Sequence, residues 1–281
     1  MIDTVQCPLL DDAVAVAAGA ARTGGSVLLG MDRTTLDVTI HDAGADITTS
    51  ADHASQAAIV ADLRATFPDH VIVGEEGTEP GTDAAHVWYV DGLDGTSNYA
   101  TGIPWYAVSV ALRCREHGPD EVVAGAVYDP VHDQLFCAGR GIGATVNGEP
   151  LAVSAVAPLR RAVVVTQIKS ADPVRIAHHA ASVERLLRTS GGVRSPGAPA
   201  LIMAHIAAGH YAAYVEREMP AWDISAGQLL IEEAGGRVTD TGGLRIASAD
   251  VTDVVASNGA IHDELLGALG GNQERAGAPR P

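Results

Sequence analysis

An apolar run that ends in an acidic turn is the most informative stretch of this chain: Val87-Trp88-Tyr89-Val90-Asp91-Gly92-Leu93-Asp94-Gly95-Thr96. The apolar residues predict a short buried strand, because β-branched and aromatic side chains follow one another without a polar break. Two aspartates, Asp91 and Asp94, then stand three residues apart where the strand ends. The Gly95-Thr96 pair that follows is predicted to open a helix.

The turn combines groups that suit a metal ion and a phosphate. Carboxylate oxygens are preferred ligands of Mg²⁺, and the carbonyl of Leu93 can add another oxygen in the bend. N–H groups at the start of a helix, here those of Gly95 and Thr96, favour a phosphate. Taken alone, the turn is equally consistent with aspartates that only cap and bend the chain.

Composition excludes several classes of function. The chain has 281 residues, enough for one large domain or two small ones, and its formal net charge of −17 argues against a basic nucleic-acid-binding face. The N-terminus lacks the basic start and apolar core of a signal peptide, and no run approaches the ~20 uninterrupted apolar residues of a membrane span. The sequence therefore predicts a cytoplasmic protein that does not cross a membrane.

The positions of the cysteines, the lysine and the histidines limit which metal, disulfide and phosphate-binding sites are expected. The three cysteines, Cys7, Cys114 and Cys137, show no metal-binding or disulfide spacing and are interpreted mostly as buried thiols. Lys169 is the only lysine, so a lysine-based phosphate clamp has one candidate, which lies far from the acidic turn in sequence. The histidines show no ligand spacing, and no histidine metal site is predicted.

Hydrophobic periodicity divides the chain into two halves of different character. The first half is predicted to contain helices at residues 11–29 and 52–66, with strands joined by short turns that favour antiparallel pairing. The Gly24-Gly25 pair weakens the prediction for the end of the first helix. The second half alternates strands with helices, as in a layered α/β sheet. The expected divisions are residues 1–155, residues 156–269 and a disordered tail at residues 270–281.

Acidic residues elsewhere in the chain are further candidates for the same site. Glutamates are common on surfaces, but Glu75 follows a predicted strand at residues 71–73 and can meet Asp91 if the two strand ends lie side by side. Asp52 stands at the start of the second helix, where it can cap the helix or orient a hydroxyl or a water. Asp223 stands in the first turn of another predicted helix, where a capping role is the simpler interpretation.

Taken together, four ordered motifs resemble the inositol monophosphatase family of Mg²⁺-dependent, lithium-sensitive phosphatases over roughly residues 11–269. They are Asp46 to Asp52, Gly74-Glu75-Glu76, Asp91 to Tyr99, and Trp222 to Gly227 with Glu233-Ala234-Gly235-Gly236 downstream. The resemblance implies a mixed α/β fold, layered as an α-β-α-β-α sandwich, and it implies a homodimer.

The resemblance also implies roles for individual residues. Five of them would supply oxygen ligands to two or three Mg²⁺ ions: Glu75, Asp91, Leu93, Asp94 and Asp223. Four would form the catalytic group around the attacking water: Thr96, Asp52, Glu75 and Asp91. Two would hold the phosphate: Gly95 and Thr96. Three would contact the rest of the substrate: Glu216, Gly197 and Ala198.

Three departures from the family pattern bear on this interpretation. Gly92 replaces the usual proline, which predicts a looser turn. Ala198 and Pro199 replace a hydroxyl residue and an alanine in the loop beside the substrate, so a contact is lost or the pocket is reshaped. The lysine often found upstream of Asp46 is missing, and the nearby Arg33 cannot be assigned its role.

The predicted function is hydrolysis of a small polyol or sugar phosphate by a metal-activated water, with inositol 1-phosphate first among the substrates. Within the family, a nucleotide or nucleoside phosphate such as 3′-phosphoadenosine 5′-phosphate, histidinol phosphate and fructose 1,6-bisphosphate stay open. An alternative of a different class is a non-catalytic protein that binds a metal or another ligand on this fold. The presence of Asp91, Asp94, Thr96 and Asp223 argues against that alternative.

Overall fold

A computed structural model describes residues 10–42, 46–115, 121–246 and 251–270. Within these ranges the chain forms seven α-helices: α1 (Leu10–Gly30), α2 (Ser50–Thr66), α3 (Thr96–Thr101), α4 (Pro173–Thr189), α5 (Pro199–Ala207), α6 (Ala221–Glu233) and α7 (His262–Leu269). The same ranges contain fifteen strands: β1 (Val38–His41), β2 (Asp46–Thr49), β3 (His70–Gly74), β4 (Gly77–Glu79), β5 (Asp83–Asp94), β6 (Ala107–Cys114), β7 (Glu121–Asp129), β8 (Gln134–Gly139), β9 (Gly143–Val146), β10 (Glu149–Pro150), β11 (Val163–Thr166), β12 (Gly192–Arg194), β13 (Ala213–Pro220), β14 (Arg237–Thr239) and β15 (Val251–Ser257). Cys7 and the tail predicted beyond residue 270 lie outside the described residues.

Two large sheets and a separate hairpin contain these strands. The first sheet has the order β10-β9-β8-β7-β6-β5-β3-β4, and its neighbours pair antiparallel except β3 and β5, which are parallel. The second sheet has the order β12-β11-β13-β15-β14, with parallel pairs from β12 to β13 and antiparallel pairs from β13 to β14. β1 and β2 form the antiparallel hairpin. The first half is therefore antiparallel as predicted, with one parallel pair that positions the site.

The helices pack outside and between the two sheets. α1 and α2 contact each other and the first sheet, whereas α5 and α6 contact strands of both sheets. α4 and α7 contact each other and the second sheet. The layers therefore follow the α-β-α-β-α order that the resemblance implies, and this fold prediction is confirmed.

The middle layer joins the two halves of the chain. Helix α6 belongs to the second half but packs on β7 of the first sheet, where a Cβ added to Gly125 would lie 3.1 Å from the Cα of Ala226. One core cluster combines Val127 and Phe136 of the first sheet with Leu229 of α6. The predicted division at residue 155 separates the two sheets along the chain, but the core between them is shared.

Helix α1 runs without a break through the Gly24-Gly25 pair. Both glycines permit close packing, because a Cβ on Gly24 would lie 2.7 Å from Ile59 Cδ1 and one on Gly25 would lie 2.5 Å from Tyr128 Cδ1. By length and composition alone, the segment Asp12–Gly30 is apolar enough to cross a membrane. Its alanines at positions 13, 17, 20 and 21 are buried, and the helix contacts α2 and the first sheet.

Three short strands have no counterpart among the elements predicted from sequence. β4 is polar and exposed along its whole length, and β14 has only three residues. β2 lies within the Asp46 motif and is defined by its pairing with β1. Strands this short show too few alternations for a period-two pattern to be recognised.

Candidate active site

The predicted site residues meet in a cavity of about 550 Å³ that both halves of the chain line. Ten of the eleven lie in its wall: Glu75, Asp91, Leu93, Asp94, Gly95, Thr96, Gly197, Ala198, Glu216 and Asp223. Asp52 is the exception, because it is buried and contacts Thr96 from behind. Residues separated by more than a hundred positions in sequence are thus brought together as predicted.

The acids of the first half converge because β3 and β5 are parallel neighbours. The two strands pair up to Val90, whose carbonyl accepts a hydrogen bond from the N–H of Glu75 at 3.2 Å. Glu75 and Asp91 therefore leave the sheet at the same edge. A register shift between Asp91 and Asp94 opposite β6 forms the bend, and Asp91 Oδ1 accepts from the N–H of Leu93 at 2.8 Å.

Asp52 holds the hydroxyl of Thr96. Its Oδ1 accepts from Thr96 Oγ1 at 2.8 Å, while its Oδ2 accepts from the N–H and the hydroxyl of Thr49 at 2.8 and 2.6 Å. Thr49 is the N-cap of α2, so these bonds also complete a capping box. Thr49 rather than Asp52 is therefore the N-cap, and Asp52 lies at N3, where it supports the cap and holds the hydroxyl of Thr96.

Ser55 and Gln56 hold the two loops that carry the acids. Ser55 Oγ donates to the carbonyl of Gly92 at 2.7 Å, and Gln56 Oε1 accepts from the N–H of Glu76 at 3.0 Å. The two residues follow Asp52 at positions i+3 and i+4 and so share its face of α2. They are absent from the sequence prediction, although polar residues on a helix face that otherwise carries core residues were a signal for them.

The acidic turn is packed rather than loose, contrary to the expectation from Gly92. A Cβ on Gly92 would lie 2.7 Å from the backbone nitrogen of Gln56, so α2 leaves no room for the usual proline. Gly95 has a φ of 96°, which favours glycine, and a Cβ there would lie 3.1 Å from the Cβ of Ala198. The missing side chain at Gly92 thus permits a close contact with α2, and the prediction of a looser turn is wrong.

The two aspartates of the turn carry strongly perturbed carboxyl groups. Asp91 and Asp94 are each only 2% exposed. Burial raises the pKa of Asp91 well above its ordinary value, and the charges of Glu75, Asp223 and Asp94 raise it further. Burial also raises the pKa of Asp94 to about 7, although its Oδ2 accepts a hydrogen bond from the N–H of Leu201 at 3.0 Å.

Glu75 and Asp223 complete the group of perturbed acids. Removal from bulk water raises the pKa of Glu75 to about 7. The positive charge of Lys169 lowers this pKa, and repulsion from neighbouring carboxylates raises it. Burial, followed by the charges of Glu75 and Asp94, raises the pKa of Asp223. Four acids with raised pKa values in one cavity favour the binding of cations, because a cation stabilises their charged forms.

A second wall of the cavity carries Glu216 and Gln167. Burial raises the pKa of Glu216 to about 8, although the Tyr214 hydroxyl and the Gln167 amide donate hydrogen bonds to its carboxylate. Gln167 is 9% exposed, and its Oε1 has no hydrogen-bond partner within the described parts of the chain. Gln167 is absent from the sequence prediction, although a glutamine directly after the apolar strand β11 was a signal for it.

Basic side chains form a third part of the wall. Lys169 Nζ donates to Asp46 Oδ1 at 2.9 Å, and Arg175, His178 and Arg217 line the cavity nearby. The sequence analysis does not predict that Lys169 shares a cavity with the acids, because the residues are far apart in sequence. The segment between β11 and α4 folds back toward the β1–β2 hairpin. No motif in the sequence indicates this contact.

Comparison with known proteins identifies the family. The model of the inositol monophosphatase family matches residues 9–274. The chain belongs to this family. It is therefore a phosphoric monoester hydrolase of a metal-dependent phosphatase family, as the four motifs predict.

Individual relatives agree with the family over most of the chain. A fructose-1,6-bisphosphatase/inositol-1-monophosphatase from Aquifex aeolicus is 36% identical over 252 residues, which cover 89% of this chain and 92% of that protein. The crystal structure of the extragenic suppressor protein SuhB from Bartonella henselae has 33% identity and a TM-score of 0.84, covering 92% of this chain and 98% of its own. The inositol monophosphatase from Anabaena has 35% identity and a TM-score of 0.79, covering 92% and 96%.

The phosphatase also carries a histidine cluster at the opposite end of β3 and β5. Possible ligand atoms of His70, Asp83 and His86 lie within 4.8 Å of one another. Trp88 Nε1 donates to His70 Nδ1 at 3.0 Å, and His86 Nδ1 forms a 2.6 Å hydrogen bond with Asp83 Oδ2. These bonds satisfy one nitrogen of each ring. The acids of the cavity, which face one another, are therefore the better cation ligands.

Proposed function

We propose that this phosphatase is a Mg²⁺-dependent phosphomonoesterase of a small polyol or sugar phosphate, with inositol 1-phosphate as the first candidate. The observation that carries the proposal is the pairing of two walls in one cavity. One wall holds four acids with raised pKa values, which suits cations beside a phosphate. The other offers Glu216 and the neighbouring Gln167, polar side chains that suit hydroxyl groups.

The proposed Mg²⁺ ligands are the oxygen donors at the acidic end of the cavity: Glu75, Asp91, Asp94, Asp223 and the Leu93 carbonyl. An all-oxygen donor set fits Mg²⁺ better than a metal that prefers nitrogen or sulfur ligands. When two or three ions are bound, they supply an activated water and charge stabilisation at the leaving oxygen. Without them, the acidic wall repels a phosphate ester.

Thr96 and Asp52 are proposed to orient the attacking water. Because Thr96 Oγ1 donates its proton to Asp52 Oδ1, its lone pairs can accept a hydrogen bond from a water in the cavity. Asp52 is held by Thr49 and acts through Thr96, so it is a positioning residue. Glu75 and Asp91 complete the proposed catalytic group.

The N–H groups of Gly95 and Thr96 are proposed to hold the phosphate, since they open α3 at the cavity wall. The loop at Gly197 and Ala198 borders this position. Ala198 is in the left-handed conformation with a φ of 60° and faces Gly95, while the Gly197 carbonyl accepts from Trp105 Nε1 at 2.8 Å. The loop therefore has a fixed shape beside the proposed phosphate site.

A substrate panel tests the proposal. Phosphate release is measured with and without Mg²⁺ from inositol 1-phosphate and from phenyl phosphate, whose leaving group has no additional hydroxyl. We expect Mg²⁺-dependent release from both esters and a higher kcat/KM for the polyol. A lack of release from every polyol phosphate would contradict the substrate class, and full activity without Mg²⁺ would contradict the metal requirement.

The Gln167→Leu variant tests the hydroxyl-binding wall. Loss of the Gln167 amide beside Glu216 is expected to lower kcat/KM for inositol 1-phosphate by about tenfold, the effect of one lost hydrogen bond. Phenyl phosphate serves as the internal control, and its kcat/KM is expected to stay the same. An equal loss for both esters would show that Gln167 supports the fold rather than recognises hydroxyl groups.

A substrate with a second anionic group is the second candidate. Arg175, His178 and Arg217 line the same cavity, and the bond between Arg175 and Glu218 is an exposed ion pair of 2.6 Å that a ligand can replace. Fructose 1,6-bisphosphate and 3′-phosphoadenosine 5′-phosphate both carry such a group. A higher kcat/KM for either of them than for inositol 1-phosphate would favour this candidate.

We further propose a homodimer on the strength of the family resemblance, and the cytoplasmic location predicted from composition stays a proposal. Light scattering of the purified protein tests the dimer, and a monomer mass at micromolar concentration would contradict it. The alternative of a non-catalytic binding protein is set aside, because the chain belongs to a family of phosphatases.

A further inference from the structure

The single lysine of the chain lies where the acids of the cavity meet the β1–β2 hairpin. Lys169 Nζ donates to Asp46 Oδ1 at 2.9 Å, and both residues line the cavity together with Glu75 and Asp223. No other lysine is available anywhere in the sequence. The ammonium group therefore brings a fixed positive charge to the place where the proposed metal ligands gather.

A second bond fixes the same segment to the hairpin. The N–H of Ala171 donates to Asp42 Oδ2 at 2.9 Å, so Asp42 and Asp46, on either side of residues 43–45, both bind the segment that follows β11. Within the hairpin, β2 contacts α2 and α3, whereas all four residues of β1 are exposed. Lys169 thus connects the second half of the chain to the hairpin beside the cavity.

The charged groups around the Lys169 ammonium are mostly carboxylates, which favour its protonated form. Burial opposes ionisation of Lys169, but the hydrogen bond to Asp46 and the charges of Glu75 and Asp223 raise its pKa above the ordinary value. Because Lys169 shares the cavity with four carboxylates, its positive charge attracts them and opposes the entry of a further cation.

We propose that Lys169 is a built-in cation that occupies the field of the acidic cluster before Mg²⁺ arrives and competes with the most weakly held ion. This positioning role rests on the proposed metal dependence. It explains how the protein can carry four opposed carboxylates without metal. It also implies that the lysine missing upstream of Asp46 is replaced in charge, from the other half of the chain.

Isothermal titration of Mg²⁺ without substrate tests the proposal. Lys169→Met is expected to tighten the dissociation constant for Mg²⁺ by about threefold to tenfold, because a competing charge is removed from a partly hydrated site. The same variant is expected to lower the melting temperature of the metal-free protein at pH 8. Lys169→Arg keeps the charge and is expected to bind Mg²⁺ like the wild type.

Arg188→Met is the matched control. It removes one positive charge from α4, where Arg188 pairs only with Glu184 one turn away and does not line the cavity. Its affinity for Mg²⁺ is expected to equal that of the wild type. Equal tightening in this control would assign the effect to net charge and overturn the role of Lys169.

The outcomes separate this inference from the proposed function. Unchanged or weaker Mg²⁺ binding by Lys169→Met, with normal binding by the wild type, would overturn the role of Lys169 alone. Weaker binding of inorganic phosphate with unchanged Mg²⁺ affinity would identify Lys169 as a phosphate ligand instead and also overturn the proposal. Absence of Mg²⁺ binding by the wild type would contradict both the proposed function and the competition.

Discussion

The two ends of the β3–β5 strand pair carry polar clusters that differ in how their charges are satisfied. At one end, His70 accepts from Trp88, while His86 bonds Asp83 and contacts Cys114 Sγ at 3.5 Å; the two imidazole rings stack 4.6 Å apart. At the other end, the carboxylates of the cavity repel one another. The same two strands thus end in a hydrogen-bonded histidine cluster on one side and in a cluster of mutually repelling carboxylates on the other.

The difference separates a structural cluster from a binding site. Hydrogen bonds within the protein stabilise the histidine end. The acidic end leaves a free-energy cost that only a cation removes, since burial and mutual repulsion both act against its charges. The two ends differ in composition, since one carries two imidazoles and a carboxylate and the other four carboxylates, and they differ in the partners of each group.

The same Asp→Asn substitution can be made at both ends of the strand pair, and the largest expected effect is on kcat at the acidic end. Asp94→Asn removes one charge from the proposed metal cluster and is expected to lower kcat by roughly a thousandfold, equivalent to about 4 kcal/mol. The amide can still accept the hydrogen bond from Leu201, so the fold is expected to persist. Circular dichroism and phosphate release check the two statements.

Asp83→Asn is the matched change at the histidine end. It weakens the hydrogen bond to His86 and is expected to cost about 1 kcal/mol of stability, while kcat stays at the wild-type value. A comparable loss of kcat in both variants would contradict the division of the strand pair into a structural end and a functional end.

A smaller effect is expected where α2 presses on the acidic end. In Gly92→Ala, the new Cβ would lie 2.7 Å from the backbone of Gln56, so α2 must move, at a cost of about 1–3 kcal/mol. The shift also disturbs Asp52 and Thr96, so kcat is expected to fall as well. Thermal unfolding and kcat are the measurements.

Gly19→Ala is the matched control for Gly92→Ala. Gly19 lies in α1, with nothing within 4 Å of an added Cβ, and alanine is expected to stabilise the helix by up to about 1 kcal/mol. Opposite signs for the two substitutions would support close packing at the acidic turn. Stabilisation by Gly92→Ala would show that the turn has room for a side chain.

The smallest expected effect is a pH dependence of opposite sign at the two ends. Glu75 and Asp94 have a folded pKa of about 7, above their unfolded values, so their contribution to stability is lost as pH rises toward 7. The metal-free melting temperature is therefore expected to fall by a few degrees, about 5 °C at most, between pH 5.5 and pH 8. Saturating Mg²⁺ at pH 8 is expected to restore it.

The histidine end acts in the opposite direction. Burial, followed by the charge of His86, lowers the pKa of His70, so its contribution is present above its unfolded pKa and is lost as pH falls through the folded pKa. In His70→Gln, the metal-free melting temperature is expected to fall less on acidification. A metal-free melting temperature that rises toward pH 8 would contradict the account of the acidic end.

Local patterns predict the acidic wall well, because its geometry follows from strand ends and one turn. Glu75, Asp91 and Asp94 follow buried strands, and the order of the motifs implies that Asp223 joins them. The pairing of β3 with β5 then brings the acids to one edge. Most helices and strands are predicted for the same reason, since they carry clear periodicity.

The other walls depend on contacts between distant segments, and sequence does not predict them. Lys169 gains its role only when the segment after β11 meets the hairpin, and Gln167 only when β11 lies beside β13. The packing of Gly92 depends on how closely α2 approaches. A proline replaced by glycine indicates flexibility in isolation, whereas here it indicates contact.

The shared middle layer has a consequence for synthesis of the chain on the ribosome. The apolar face of β7 and β8, with Val127 and Phe136, is covered by Leu229 of α6, which is made about a hundred residues later. Until then, the nascent first sheet exposes that face to solvent. Chaperone binding during translation is therefore expected to end when α6 leaves the exit tunnel, which is also when Asp223 completes the ring of acids.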